Sequence, residues 1–230
     1  MKAILGGTGI DNSEKFSGSY KTIETIYGPV SYMERDGIIY LPRHMKDHSV
    51  PPHKINYKAN IKALKDLGVD EVVSIYAVGS INNKLRPLEY GLVEDFADYS
   101  GRKETFFGGG EEGLDHVSMS TPFSEGLRDR LLSAGKDICS DLMYVTTGGP
   151  RLETKLEIRT FSKLGFDVVG MTLATEAVLL KEIGIDNAAI AYSINWAAGL
   201  EEEIAFVSKE DRVQLSIEIV ERAEKALLNK

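Results

Sequence analysis

The sequence repeats one order of elements three times: a segment with helical periodicity, a glycine, and then a short apolar run. A glycine commonly ends a helix, and a continuous apolar run is typical of a strand buried on both faces. The predicted helices are 56–67, 152–164 and 175–183, the glycines are Gly68, Gly165 and Gly184, and the predicted strands are 71–77, 168–173 and 188–193. This order predicts parallel strands layered with helices.

The first forty residues predict an antiparallel part. The run 3–5 indicates a buried strand that enters a glycine turn, and residues 20–34 alternate only partially. Asp36-Gly37 is typical of a hairpin turn before a strand at 38–41. We also predict strands near 92–93 and 142–145, and helices over 124–133 and from Ser208 almost to the C-terminus. The sequence thus predicts an α/β fold: one domain, 1–230, with three layers and a central mixed β-sheet flanked by helices.

Charge and hydropathy exclude several classes of protein. The 230 residues include 27 Lys and Arg against 35 Asp and Glu, a formal net charge of −8. Without a basic excess we expect no nucleic-acid partner. We find no apolar run of the ~20 residues that span a bilayer and no secretory signal, so we expect no membrane partner and a cytoplasmic location. The single Cys139 excludes intrachain disulfides and thiolate-rich metal sites.

Polar residues follow several of the predicted strands at the point where each strand ends. They are Gly7-Thr8, Arg43-His44, Ala77-Val78, Met171-Thr172 and Asn195. Ligands of α/β sheets bind at the carboxyl ends of the strands, so we expect these residues to converge on one small-molecule site. No obvious nucleophile is among them. Chemistry at such a site would depend on positioning and on charge stabilisation.

Three histidines and one arginine lie close together in the sequence. His44, His48 and His53 fall within ten residues, and Arg43 adds a guanidinium that can bind phosphate with two donors. Metal binding is an alternative, but the histidines lack helical spacing and a nearby cysteine, so we predict no metal. Exposed loop histidines without a special role are a further alternative.

Glu153 stands where the predicted helix 152–164 begins, just after a Gly148-Gly-Pro150 turn. A carboxylate at a helix start often only complements the helix dipole. It could equally contact a ligand. The polar stretch 98–113, which contains Gly108-Gly-Gly110, is the best candidate for a mobile or insertion loop.

Short motifs extend over nearly the whole chain: Gly6-Gly-Thr-Gly9, Pro42-Arg-His44, Asn56-Tyr57-x-Ala59-Asn60-Ile61, Gly149-Pro150-x-x-Glu153-Thr154, Gly170-Met-Thr172 with Glu176, and Asn195. In this order and spacing they resemble the trimeric purine nucleoside phosphorylases and methylthioadenosine phosphorylases. The resemblance implies phosphorolysis, in which phosphate attacks the anomeric carbon of a purine nucleoside and releases the purine and a pentose 1-phosphate. It implies no cofactor, inorganic phosphate as co-substrate, and a homotrimer or a dimer of trimers.

The resemblance also assigns roles residue by residue. Phosphate would be held by Thr8, Arg43, His44, the Ala77 backbone and Thr172. The nucleoside would meet Leu152, Met171, His48 and, from a neighbouring subunit, His116, with Glu153 and Asn195 as the catalytic pair at the base. Cleavage of the glycosidic bond places positive charge on the sugar and negative charge on the purine, so an anion beside the sugar and a donor at the base stabilise the transition state.

The pair at the base predicts which purine is accepted. Family members that act on 6-oxopurines carry Glu and Asn at the positions of Glu153 and Asn195, whereas the adenine-specific methylthio enzymes carry Ser and Asp. A 6-oxopurine donates from N1 to a carboxylate and accepts at N7 and O6 from an amide. Each wrong pairing leaves a buried polar group unpaired at a cost of about 1–3 kcal/mol. The pair therefore favours hypoxanthine or guanine nucleosides.

The 5′ end of the sugar is predicted less directly. Family members that take ordinary ribonucleosides have a histidine at the start of the last helix, where this chain has Ser208-Lys209 after the apolar run 204–207. This favours S-methyl-5′-thioinosine, with inosine or guanosine as the alternative and methylthioadenosine as a third. A nucleosidase that uses water and a nucleoside-binding protein without turnover are alternatives of other classes.

Overall fold

The computed structural model describes residues 1–10 and 16–229. Its strands are β1 (Lys2–Gly6), β2 (Lys21–Thr25), β3 (Gly28–Arg35), β4 (Ile38–Pro42), β5 (Glu71–Ser80), β6 (Tyr90–Tyr99), β7 (Cys139–Thr147), β8 (Val168–Gly170) and β9 (Asp186–Trp196). Its helices are α1 (Tyr57–Asp66), α2 (Glu125–Ser133), α3 (Lys155–Lys163), α4 (Leu173–Glu182) and α5 (Lys209–Leu228).

The strands form one mixed sheet in the order β2-β3-β4-β1-β5-β8-β7-β6-β9. The β2-β3-β4 part is antiparallel, and β1 pairs in parallel with both β4 and β5. β5 also pairs with β9, so that β5, β8, β7, β6 and β9 close into a ring. β5 is therefore the strand at which the open part of the sheet and the closed part meet.

Helices cover both faces of the sheet, because successive side chains of each strand point to opposite faces. In β1, Ala3 and Leu5 belong to the core under α1 and α4, whereas Ile4 belongs to the core under α2 and α5. The predicted α/β class, with three layers and a mixed sheet between helices, is confirmed. None of the helices in residues 1–10 and 16–229 has the length and apolar composition needed to cross a membrane.

Several strands differ in extent from the prediction. β5 continues to Ser80 and β9 to Trp196, so Ala77, Val78 and Asn195 lie inside these strands, near their carboxyl ends, and not after them. The partially alternating residues 20–34 form a hairpin, in which β2 pairs antiparallel with β3. β6 continues to Tyr99, well beyond the predicted residues 92–93. Its second half is mostly exposed and polar, so the side chains give no strand pattern, but its backbone pairs in parallel with β7 as far as Thr147.

The helix predicted to begin at Leu152 begins later, at Lys155. Thr154 is its N-cap, and its hydroxyl accepts from the Glu157 backbone N–H while the Glu157 carboxylate accepts from the Thr154 N–H. This reciprocal capping box satisfies donors that a helix start leaves unpaired. Glu157 is therefore the acidic residue of the first turn, and Glu153 lies before the helix.

Gly170→Ala should destabilise the protein, because a Cβ atom at residue 170 would overlap the hydroxyl oxygen of Tyr144. Overpacking a core costs about 1–3 kcal/mol. We expect a lower urea midpoint in equilibrium unfolding.

Two further variants make this prediction specific. The Tyr144 hydroxyl is buried without a hydrogen-bond partner among the described residues, so Tyr144→Phe should be nearly neutral and should recover part of the loss. Gly126→Ala in α2, where an added Cβ would meet no atom within 4 Å, is the matched control and should cost nothing. A loss that is the same with and without the hydroxyl would contradict the proposed overlap.

Candidate active site

A cavity of about 260 Å³ opens at the carboxyl ends of β1, β4, β5 and β8 and at the end of β9. The convergence predicted from the strand ends is thus confirmed. The predicted site residues that line the cavity are Thr8, Arg43, His44, Ala77, Leu152, Glu153, Met171, Thr172 and Asn195. The structure brings these side chains together, and their individual roles in binding stay predictions.

The charged end of the cavity is organised by a buried ion pair. Arg43 follows β4 and is 3% exposed, and Glu176 lies in the first turn of α4 and is fully buried. Arg43 donates from Nε and Nη2 to the two oxygens of the Glu176 carboxylate, at 2.6 and 2.8 Å. This bidentate geometry fixes the plane of the guanidinium as well as its position.

The remaining donors of Arg43 point to backbone. Nη1 donates to the Ile75 carbonyl at 3.0 Å, and Nη2 makes a longer bond of 3.5 Å to the Leu5 carbonyl. Since a guanidinium has five N–H groups, these four bonds leave one N–H of Nη1 for a ligand. Nη1 lies so close to the glycine turn after β1 that a Cβ at Gly7 would overlap it. Gly7 therefore lets the turn and the cation lie in contact.

Arg43 remains a cation under all ordinary conditions. Burial by itself would lower the pKa of its guanidinium, but the adjacent Glu176 carboxylate outweighs burial and raises that pKa. The ring of Tyr76 lies under the guanidinium, with the Arg43 Cζ 4.5 Å from the ring centroid. A permanent, oriented positive charge beside a glycine turn is suited to binding an oxyanion.

His44 and Tyr192 add two fixed groups at this end. The His44 ring is held by a 2.7 Å contact between Nδ1 and the Val50 carbonyl. Because a carbonyl only accepts, Nδ1 carries a proton in this contact, which fixes the orientation of the ring at the edge of the cavity. The hydroxyl of Tyr192, in the middle of β9, donates to the Thr8 carbonyl and holds the glycine turn in place.

The opposite side of the cavity carries the two residues assigned to the base. The Thr147 hydroxyl donates to Oε1 of Glu153 at 2.6 Å, which leaves Oε2 as an acceptor for a ligand. The Asn195 amide donates from Nδ2 to the Trp196 carbonyl at 2.8 Å. Because only the NH₂ group can donate, this bond also assigns the amide orientation, and one Nδ2 hydrogen remains for a ligand.

A third part of the cavity is apolar. It is formed by residues after β9 and by one residue of β5, namely Val78, Ala197, Ala198, Ile204 and Phe206. Phe206 is 53% exposed, so its ring lies at the mouth of the cavity.

Two predicted site residues lie outside this cavity lining. His48 is exposed, and its ring contacts that of His44 with 4.6 Å between centroids. His116 is exposed in the segment before α2. Their roles as substrate contacts stay predictions. Within residues 1–10 and 16–229, no three His, Cys, Asp or Glu side chains are placed to hold a metal ion.

Several residues that shape the site were not predicted from the sequence. They are Thr147, which holds Glu153, Tyr192, which holds the glycine turn, and Arg102, which bonds to two backbone carbonyls at the cavity edge. Only Tyr192 could have been noticed from the local sequence, because it places a hydroxyl in an otherwise apolar strand. Thr147 and Arg102 contact residues that are not adjacent in sequence, so the local sequence does not indicate these contacts.

Known proteins resemble this chain over most of its length. A family model described as the phosphorylase superfamily matches residues 3–229. The 6-oxopurine nucleoside phosphorylase of Pyrococcus furiosus is 37% identical over 212 residues, which are 86% of this chain and 80% of that protein. A probable S-methyl-5′-thioinosine phosphorylase of Xylella fastidiosa is 39% identical over 209 residues, which are 86% of this chain and 84% of that protein.

A solved structure shares the fold. The methylthioadenosine phosphorylase of Schistosoma mansoni, in complex with tubercidin, superposes with a TM-score of 0.84 at 28% identity. The match covers 98% of this chain and 90% of that chain.

Glu176→Gln should reduce the free energy of unfolding strongly, because it leaves the buried Arg43 charge without its counter-charge. Breaking one partner of a buried ion pair costs about 3–5 kcal/mol. Urea unfolding of the variant and the parent protein measures the difference.

Asp66→Asn is the matched control, since it removes one acid from the partly exposed Lys62–Asp66 pair on α1. A surface pair of this kind contributes at most about 1 kcal/mol. Losses of the same size in the two variants would show that the buried pair does not have the proposed importance.

Proposed function

The chain belongs to the phosphorylase superfamily, and on that premise we propose that it cleaves a 6-oxopurine nucleoside with inorganic phosphate. The products are the free purine and a pentose 1-phosphate, and S-methyl-5′-thioinosine, which yields hypoxanthine, is the preferred substrate. The predicted enzyme class, a pentosyltransferase of the purine nucleoside phosphorylase type, is confirmed by the family and by the named relatives.

The observation that carries the proposal is the presence of Glu153 and Asn195 in the same cavity as the Arg43 cation. Phosphate beside Arg43, His44 and Thr172 would act as nucleophile and as the anion next to the developing positive charge of the sugar. The purine would leave with negative charge at its ring, which the Asn195 amide can stabilise by donating. The protein then needs no nucleophile of its own.

The hydrogen-bond roles at the base favour a 6-oxopurine. Glu153 presents Oε2 as an acceptor because Thr147 donates to Oε1, and a 6-oxopurine has an N1–H to donate. Asn195 presents an N–H because its amide is oriented by the Trp196 carbonyl, and N7 and O6 accept. Adenine lacks the N1 hydrogen that Glu153 would accept, and at position 6 it carries an N–H donor in place of the O6 acceptor, while its N7 accepts as in a 6-oxopurine.

The choice of the 5′ group rests on the apolar part of the cavity. Ile204 and Phe206 line it, and Ser208, where the ribonucleoside enzymes would have histidine, instead accepts from the Asp211 N–H as the N-cap of α5. A thioether methyl gains more from apolar contact than a hydroxyl does. Inosine or guanosine is the second candidate, because Phe206 is half exposed and water can reach a 5′-hydroxyl there.

The proposal includes the setting of the reaction. We propose that the enzyme uses phosphate as co-substrate and no cofactor, and that it works in the cytoplasm without nucleic-acid or membrane partners. We further propose a homotrimer or a dimer of trimers, in which the exposed His116 of one subunit completes the cavity of the next.

The experiment that tests the function is a substrate panel with and without phosphate. S-methyl-5′-thioinosine, inosine, guanosine and methylthioadenosine are each incubated with the protein, and the free base and sugar phosphate are quantified. We expect turnover only with phosphate, and kcat/KM for S-methyl-5′-thioinosine about 5- to 150-fold above that for its 6-amino counterpart methylthioadenosine, the equivalent of one mismatched polar group.

Turnover without phosphate would establish the water-using nucleosidase instead. Calorimetric binding of nucleosides without any product would establish a binding protein. A preference for methylthioadenosine over every 6-oxopurine would overturn the assignment of the base.

Asn195→Asp should shift the preference toward 6-aminopurines, because a carboxylate accepts at the position where the amide donates. Its absolute activity should also fall, since the carboxylate faces the Trp196 carbonyl that now accepts from Asn195. The ratio of kcat/KM for methylthioinosine and methylthioadenosine measures the shift.

Asn83→Asp, the same change at an exposed loop position, is the control and should leave the ratio unaltered. A ratio that is unaltered in Asn195→Asp as well would show that Asn195 does not contact the base.

A further inference from the structure

Arg102 connects two parts of the cavity that are far apart in sequence. It lies in the segment between β6 and α2 and donates from Nη1 to the Met171 carbonyl and from Nη2 to the Gly148 carbonyl, both at 2.7 Å. Met171 follows β8 and Gly148 follows β7. One planar group therefore joins the ends of two neighbouring strands.

The two carbonyls belong to different halves of the site. Gly148 opens the turn that leads to Glu153, the residue assigned to the base. Met171 precedes Thr172, which lines the cavity and is the N-cap of α4. A guanidinium suits this contact, because its donors diverge in one fixed plane, whereas a lysine ammonium is a single point on a flexible stem.

Arg102 is itself held on both sides. Its guanidinium lies against the ring of Tyr57 in α1, with the Cζ 5.4 Å from the centroid. A few residues later, Glu182 of α4 accepts from the Thr105 hydroxyl and from the Phe106 N–H, each at 2.6 Å. The stretch 98–113, expected from its sequence to be a mobile or insertion loop, is thus attached to α4 close to Arg102.

We propose that Arg102 is a positioning residue, which sets the distance between the turn that holds the base and the Met171–Thr172 edge that holds sugar and phosphate. This inference rests on the proposed function. Arg102 is not among the residues that line the cavity, so it acts through the two backbone carbonyls. In-line attack of phosphate on the sugar depends on this distance, and a displacement of ~1 Å can cost about 100-fold in rate.

The test uses Arg102→Ala and Arg102→Lys in the full-length protein, with Lys103→Ala, the exposed neighbour, as the matched control. We expect kcat to fall about 10- to 100-fold in Arg102→Ala, with smaller changes in both KM values. Guanidinium at millimolar, non-denaturing concentration should restore part of kcat. Arg102→Lys should remain impaired, because an ammonium on a flexible stem lacks the fixed planar arrangement of the guanidinium donors, and Lys103→Ala should match the parent.

Hydrogen exchange of the peptides 148–153 and 171–176 gives a readout that does not need turnover. Exchange should rise in both peptides in Arg102→Ala and decrease again with guanidinium. Unchanged exchange and kcat would overturn the proposal. So would a loss of activity that follows a general loss of stability and that guanidinium does not rescue. If the parent protein has no phosphorolytic activity, the proposed function fails, while hydrogen exchange still decides whether Arg102 joins the two segments.

Discussion

The buried pair of Arg43 and Glu176 is the interaction on which the site depends. Each charge alone would be costly in the interior, so the end of β4 and the first turn of α4 have to meet. That meeting places Thr172, the N-cap of α4, on the same side as the glycine turn against which Arg43 packs. The Arg43 end of the cavity is therefore held in place by contacts within the protein, as the proposed electrostatic stabilisation of an oxyanion requires.

The branching of the sheet at β5 brings residues from both parts of the sheet into one cavity. β5 belongs both to the open part of the sheet and to the closed ring of strands. Three of its residues, Ala77, Val78 and Gly79, line the cavity. On one side lie Arg43 and His44, and on the other lie Glu153 and Asn195. A ligand with an anionic and a heterocyclic end can thus contact both parts of the sheet at once.

Much of this arrangement follows from local sequence patterns. The apolar runs that end in polar residues predicted where the cavity lies, and with it such lining residues as Thr8, Arg43 and Asn195, because ligands of α/β sheets bind at strand ends. The predicted start of α3 was wrong, because Glu153 and Glu157 both suit the first turn of a helix. Only the capping contacts of Thr154 decide between them. The bond from Arg102 to Met171 spans 69 residues, so no local pattern could indicate it.

Under the proposed function, specificity for the purine depends on how Glu153 and Asn195 are oriented as well as on their residue types. Glu153 is oriented by the Thr147 hydroxyl, and Asn195 is oriented by the Trp196 carbonyl. If the Ser and Asp of an adenine enzyme replaced them, the Thr147 hydroxyl would lose its 2.6 Å bond to Glu153 and keep only the 3.4 Å bond to the Gly170 carbonyl. The Trp196 carbonyl would then face a carboxylate. Each unpaired buried group costs about 1–3 kcal/mol, as much as the discrimination itself. On the proposed assignment, a change of substrate in this scaffold therefore requires changes at Thr147 and around Trp196 as well as at Glu153 and Asn195.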